Sequence, residues 1–262
     1  MADEKIRLGG MALANGVLVH GPTAWACAVR TPNGRIETAS AYKRFQASRV
    51  QRPLLRGPAR LLEVVTLLPQ VRRALPSARL PFERPGVLAT MVVSALAAQA
   101  VKRSSLKPLA RELVGSLLSL APTALAVRGS DVAAYHGAEH ISIGSYEHGS
   151  RREKEHERCG SHMVGPLLLS SAVGGAFAAR APRNLQPAAK ATAQLGALAA
   201  TTEIFAWMVR NPDHKLSRAL ARPGHELQHR LATEEPTPAQ LEVAEAALRA
   251  CLALEHGAAR AN

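Results

Sequence analysis

Four stretches of this chain run unusually far without a charged residue, and no other feature restricts its fold as much. They are residues 85–101, 113–127, 159–179 and 191–209, the last broken only by Glu203. A hydrocarbon core about 30 Å thick takes roughly 20 residues of helix, so the last two are long enough to cross it and the first two are marginal. Each is flanked by Lys or Arg. Gly165, Ser170, Gly174 and Gly175 are small residues of the kind that let helix backbones approach closely in lipid. The expected fold is mainly α, a polytopic membrane helical bundle with about four spanning helices. The competing reading is a soluble bundle of buried helices, favoured by the Ala, Gly and Ser content and by the lack of Trp and Tyr belts at most helix ends.

Around these stretches the pattern changes. Val17, Leu18 and Val19, then Ala26, Ala28 and Val29, precede Pro32-Asn33-Gly34, and Asn-Gly supplies the positive φ of a tight turn. A small β-hairpin or meander is expected there. Residues 54–75 carry Leu61, Leu62, Val65, Leu68 and Val71, but Arg56, Arg60, Glu63, Arg72 and Arg73 sit too deep for a spanning helix. An amphipathic helix at a membrane surface or against a neighbour fits better. Near the end, Thr237-Pro238-Ala239-Gln240 has the form of a capping box, and Leu241, Ala244, Leu248, Cys251 and Leu252 follow at helical spacing. The chain thus divides into a β-containing region (1–50), an amphipathic interfacial helix (51–84), a membrane bundle (85–209) with a loop over 128–158, and a soluble C-terminal helical region (210–262). If all four stretches span, the N-terminus, that loop and the C-terminus share the side richer in Lys and Arg. This favours a multi-pass protein of the inner (cytoplasmic) membrane with the loop in the cytoplasm.

Composition removes several classes. With 262 residues, 47% apolar and a net charge of +13, the chain can bury a core and is not disordered. Three widely spaced cysteines argue against a disulfide framework and for a reducing compartment. The first ten residues lack the apolar core of a secretory signal. The positive charge fits membrane lipids as partners, whereas nucleic acid is not expected, because the nine aromatic residues are too scattered to stack bases. A homo-oligomer is compatible with the sequence.

The chemistry concentrates in one place. Five of the ten histidines (His136, His140, His148, His156 and His162) fall between positions 136 and 162, with Cys159 among them. His136-Gly137-Ala138-Glu139-His140 has the form H-x-x-E-H, which on a helix puts two imidazoles on one face. They can share a divalent metal, zinc by donor type, while Glu139 reaches a water on it as general base. Glu147 falls on the same face two turns later and is a candidate further ligand. His156 and Cys159, three residues apart, offer an imidazole and a thiolate at the start of the third uncharged run. His148, His162, His214, His225, His229 and His256 read as solvated or packing residues. Glu203, alone in an uncharged run, is expected to face a bundle interior or polar cavity.

Several blocks occur together in an order that resembles the YqhQ family, the domain-of-unknown-function 1385 group. They are Gly9-Gly10 with Gly16 and Gly21-Pro22, Arg52-Pro53-Leu54-Leu55-Arg56-Gly57, Tyr135 to His140, Tyr146-Glu147, His156-Glu157-Arg158-Cys159-Gly160, and Leu227-Gln228 through Glu242-Val243-Ala244. The resemblance implies a bacterial multi-spanning membrane protein of uncharacterised, metal-dependent type. It places ligand positions at His136, His140, His156 and Cys159, with Glu139 and Glu147 as retained carboxylates. It brings no substrate. Met11, Asn15 and His20 depart from the family's Gln, Glu and Arg, which alters the activity if those positions belong to the substrate site.

Together these features point to a metal-dependent membrane enzyme, a hydrolase using metal-activated water on an unknown substrate. The alternative is a non-catalytic membrane protein whose metal is structural or regulatory, with four protein ligands closing the site.

Overall fold

The computed structural model describes residues 5–127 and 131–261. The first three residues of the expected loop, and the first four of the segment judged for a secretory signal, lie outside the described residues.

The strand region extends further than the hairpin signal. Strands β1 (Gly9–Leu13), β2 (Gly16–His20), β3 (Ala24–Arg30) and β4 (Ile36–Tyr42) form an antiparallel meander in sequence order. At the turn before β4, Gly34 has φ 82°, Thr31 N–H donates to the Arg35 carbonyl and Gly34 N–H to the Thr31 carbonyl. Only glycine takes that conformation without strain. β2 and β3 are almost continuously apolar because the sheet is covered on both faces. Met11, Leu18, Cys27 and Ala39 align across the strands and point to one face, with Leu13, Trp25 and Val29. Ala12, Val17, Val19, Ala26 and Ala28 point to the other.

Each face has its own helices. Helix α1 (Arg56–Ala74) covers the first with Leu67 and Val71, while Leu61, Leu62 and Val65 stay exposed. Its Glu63 is buried in a polar cluster under the sheet. Lys43 Nζ is bonded to its carboxylate and lies 3.1 Å from His20 Nδ1. The second face is covered by α4 (Asp131–His148) and α8 (Pro238–Ala261), through Val132, Tyr135, Ala138, Val243, Ala247 and Cys251. At the start of α8, Thr237 and Gln240 make the reciprocal capping bonds that the sequence suggests.

The remaining helices form two hairpins. Helices α2 (Pro85–Arg103) and α3 (Pro108–Val127) pack together, as do α5 (Val164–Ala178) and α6 (Gln186–Arg210), with α7 (Lys215–Leu227) against α5. On α2, Leu88, Met91, Val92, Val93 and Leu96 are exposed, as are Leu169, Val173, Phe177 and Leu195 on the second hairpin.

This overturns the expected four-span bundle. Among the described residues one helix, Pro85–Arg103, is long and apolar enough to cross a membrane. α5 has 15 residues, about 22 Å of helix at 1.5 Å per residue, which is short of the hydrocarbon thickness. α6 is long enough but carries Lys190, Thr201, Thr202 and Glu203, and α3 begins with Arg111 and Glu112, leaving a shorter apolar run. Glu203 meets α1 instead of lipid. It accepts from Arg56 Nε at 2.9 Å and from Leu54 N–H at 3.1 Å, and the hydrogen bond from Arg56 holds its pKa below the usual carboxylate range. Residues 131–148 of the expected connecting loop form α4, the helix most deeply enclosed by the rest of the protein.

Candidate metal centre

The H-x-x-E-H motif lies in the middle of α4. Every residue from 132 to 144 except His136 is buried, so the helix is enclosed on all sides and shows no amphipathic stripe. Glycine makes that enclosure possible at two points. A Cβ on Gly137 would lie far inside contact of the Glu234 carbonyl oxygen, and one on Gly144 would meet Arg152 and His156 at 3.2–3.4 Å. Two connecting segments therefore run directly over α4, one around residues 152–156 and one around 232–234.

Those segments fix the two histidines. His136 Nδ1 lies 2.8 Å from the Ala232 carbonyl oxygen, and His140 Nδ1 lies 2.6 Å from that of Lys154. A carbonyl only accepts, so each Nδ1 carries the proton and each Nε2 keeps its lone pair free. Burial holds the His140 pKa below the ordinary imidazole value, which keeps the ring neutral. The rings sit 4.3 Å apart.

Cys159 completes the group from another element. It precedes the short 3-10 helix Gly160–Met163, and its Sγ lies 3.5 Å from His136 Nε2. One donor atom from each of His136, His140 and Cys159 lies within 4.8 Å of the others, so the three could hold one metal ion. Two neutral imidazoles and a sulfur suit a borderline-soft cation, and three protein donors leave one tetrahedral position open.

Glu139 is buried between the two histidines, its Oε2 3.9 Å from His136 Nε2 and 3.8 Å from His140 Nε2. Burial raises its pKa, against which the neighbouring His136 and His156 work only in part. Gly10 of β1 makes room for it, since a Cβ there would overlap the Glu139 carboxylate. This explains a glycine in the Gly9-Gly10 block.

The other two candidate ligands occupy a layer behind. His156 stacks near His140, with ring centroids 5.5 Å apart, but its Nδ1 accepts from Arg158 N–H and its Nε2 faces Glu147 at 3.4 Å. Glu147 is also paired with the Arg158 guanidinium. Burial pushes its pKa up, yet the hydrogen bond from His156 and the Arg158 charge outweigh that and hold it below the usual range. The three departures from the family pattern lie away from the donors. Met11 packs in the apolar face toward α1 and His20 joins the Lys43–Glu63 cluster. The Asn15 amide ties the first turn to the Arg30 and Ser77 carbonyls and to Arg79 N–H.

One important side chain gave no chemical signal in the sequence. Gln228 is fully buried in a π-helical turn (Gln228–Ala232). It accepts from His156 N–H at 3.0 Å and donates to Ser161 Oγ at 2.8 Å, with His162 Nδ1 at 3.2 Å. It thereby holds both ends of the segment that carries Cys159, and makes His162 a buried partner instead of a solvated residue. No motif marks such a role. Its place in the Leu227-Gln228 block was the one available hint.

No curated protein and no solved structure matches this chain. The profile of the family described as Protein of unknown function (DUF1385) matches residues 87–254, a stretch that contains α4, Cys159 and Gln228, and the chain belongs to that family.

Proposed function

We propose that the protein is a metal-dependent hydrolase attached to a membrane, with zinc held by His136, His140 and Cys159. One observation carries this reading: three N/S donors converge while the nearest further imidazole, His156, is turned to Arg158 and Glu147. A four-ligand structural site would need that imidazole.

A divalent ion bound there supplies Lewis acidity and draws the pKa of a coordinated water toward neutrality. The chain supplies the rest. The Ala232 and Lys154 carbonyls accept from the two Nδ1 atoms and so leave the Nε2 atoms aimed as the ligating nitrogens. Glu139, close to both, takes the proton at its carboxylate as the water oxygen adds to the electrophilic centre, and returns it to the leaving group as that bond breaks. The buried environment excludes bulk water from this transfer. Attachment to the membrane is through α2, whose Leu88, Val92, Val93 and Leu96 are about half or more exposed.

The test is Glu139→Gln on a panel of chromogenic esters with the metal-loaded protein. Metal content unchanged with turnover reduced at least ~100-fold is expected. Undiminished turnover removes Glu139 as the base, and absence of turnover in the metal-loaded wild type across ester classes removes the hydrolase reading.

A further inference from the structure

Two cavities of about 390 Å³ each share the wall formed by Arg7, Arg158, Phe205 and Val209. Six arginines line them against two glutamates: Arg56, Arg60 and Arg210 complete the upper cavity and Arg218 the lower. One of the two acids is engaged and the other is turned largely to solvent. Glu203 is held by Arg56 and by the Leu54 amide, and Glu157, largely exposed, faces His148 at 3.9 Å. Arg158 is spent on Glu147. That leaves Arg7, Arg60 and Arg218 with no protein acceptor among the described residues, while Arg210 acts only on the Glu203 carboxylate that Arg56 already holds.

Like charges gathered on a concave wall repel one another and focus a positive potential into the space between them, which favours an anion there even though the side chains are partly solvated. The planar fork of arginine matches the oxygens of a phosphate group, and several guanidiniums around one space suit a dianion with three acceptor oxygens better than a carboxylate with two. The remaining wall of the upper cavity is apolar: Leu8, Leu61, Met163, Phe205, Ala206 and Val209. A phosphate head with an apolar body fits both halves of that lining.

No metal donor lines either cavity, and the link from their shared wall to the metal centre runs through packed side chains. Arg158 is the residue before Cys159 and is bonded to Glu147, which faces His156, which stacks near His140. We infer that this arginine-lined double cavity binds the phosphate group of an organic phosphate. That the bound compound is the substrate rests on the hydrolase reading; that the cavity takes a phosphate group does not. The group belongs either to a free phosphate ester or to a phospholipid headgroup at the membrane that α2 meets.

The experiment uses the full chain in detergent with metal removed by chelator, titrated calorimetrically with glycerol phosphate. A second arm measures flotation of the Val93→Asp/Leu96→Asp protein, in which α2 no longer anchors the chain, with phosphatidylcholine vesicles with and without phosphatidic acid. The protein with its arginines intact is expected to bind a phosphate monoester in preference to glycerol or to the phosphodiester of phosphatidylcholine alone. Arg60→Gln/Arg210→Gln is expected to weaken that binding at least about tenfold, or roughly 1.4 kcal/mol, while Lys102→Gln/Arg103→Gln at the end of α2 leaves it unchanged. Binding of glycerol phosphate assigns a free ester, and binding of phosphatidic acid vesicles alone assigns a headgroup; both uphold the site. Binding of neither probe, or equal binding by the Arg60/Arg210 and Lys102/Arg103 double variants, overturns it. All four of those side chains are exposed, so folding is preserved, and circular dichroism checks this. Because the titration is done without metal, a protein that binds phosphate but never loads metal refutes the hydrolase reading alone, and one that loads metal but binds no phosphate refutes the cavity alone.

Discussion

Replacing Gly137 by alanine sets two effects of opposite sign against each other. In an ordinary helix interior the change gains about 1 kcal/mol, because alanine loses less backbone freedom on folding than glycine. Here the new methyl overlaps the Glu234 carbonyl oxygen, which is backbone and cannot rotate away. The segment around residues 232–234 has to move, and two hydrogen bonds depend on its position: Glu234 N–H to the Ala133 carbonyl at 3.0 Å, and His136 Nδ1–H to the Ala232 carbonyl at 2.8 Å. Each is worth about 0.5–1.5 kcal/mol, and overpacking of an enclosed site costs about 1–3 kcal/mol. The losses outweigh the gain, so Gly137→Ala is expected to destabilise the protein by about 1–5 kcal/mol. The more telling consequence concerns the metal. Once the Ala232 carbonyl withdraws, His136 loses the acceptor that fixes its tautomer, and metal affinity should fall about 10- to 100-fold. Chelator competition measures the affinity and denaturant titration the stability. A variant as stable as wild type, with wild-type metal affinity, would refute the role given to the 232–234 segment.

Acid sensitivity should trace to His20, whose pKa is lowered to about 3 by burial and by the Lys43 charge beside it. The unfolded chain takes up a proton below about pH 6.5 while the folded one resists, so stability falls as pH drops from there toward 3, by at most about 5 kcal/mol. His20→Asn should flatten the dependence of the urea midpoint on pH over that window, and an unchanged slope would show that other groups govern it. On α2, Val93 and Leu96 are 63% and 65% exposed. Val93→Asp/Leu96→Asp should barely alter stability in detergent but should release the protein from membranes at high salt, since a carboxylate at mid-membrane costs about 2.5–3.5 kcal/mol on insertion scales. Unaltered membrane retention would show that α2 is not the attachment.

The candidate centre was partly legible because helical geometry is local. The i, i+4 spacing of His136 and His140 already put them on one face, and Cys159 stood out by clustering with them. What lay beyond reach were the groups brought in from a distance: the Ala232 and Lys154 carbonyls, Gly10 beneath Glu139, and Gln228. The carbonyls and Gly10 act through backbone or packing, and Gln228 through an amide whose partners lie far along the chain, neither of which leaves a mark at its own position. The sheet was half legible. β2 and β3 announce themselves as apolar runs, whereas β1 opens on two glycines and β4 is a largely exposed edge strand of alternating small and polar residues. The four-span expectation failed because lack of charge measures neither length nor location. α5 is uncharged but short, α6 spends Glu203 on Arg56, and the helix buried most completely is α4, which carries Glu139 and three histidines.

The arrangement of two imidazoles and one thiolate around an open position is tested most directly by X-ray absorption spectroscopy on zinc-loaded protein, with His136→Ala/His140→Ala loaded in parallel. One sulfur, two imidazole nitrogens and one light oxygen per ion are expected for wild type, with the double variant losing the bound metal. Four N/S donors, no sulfur donor, or equal metal content in the two proteins would contradict the account.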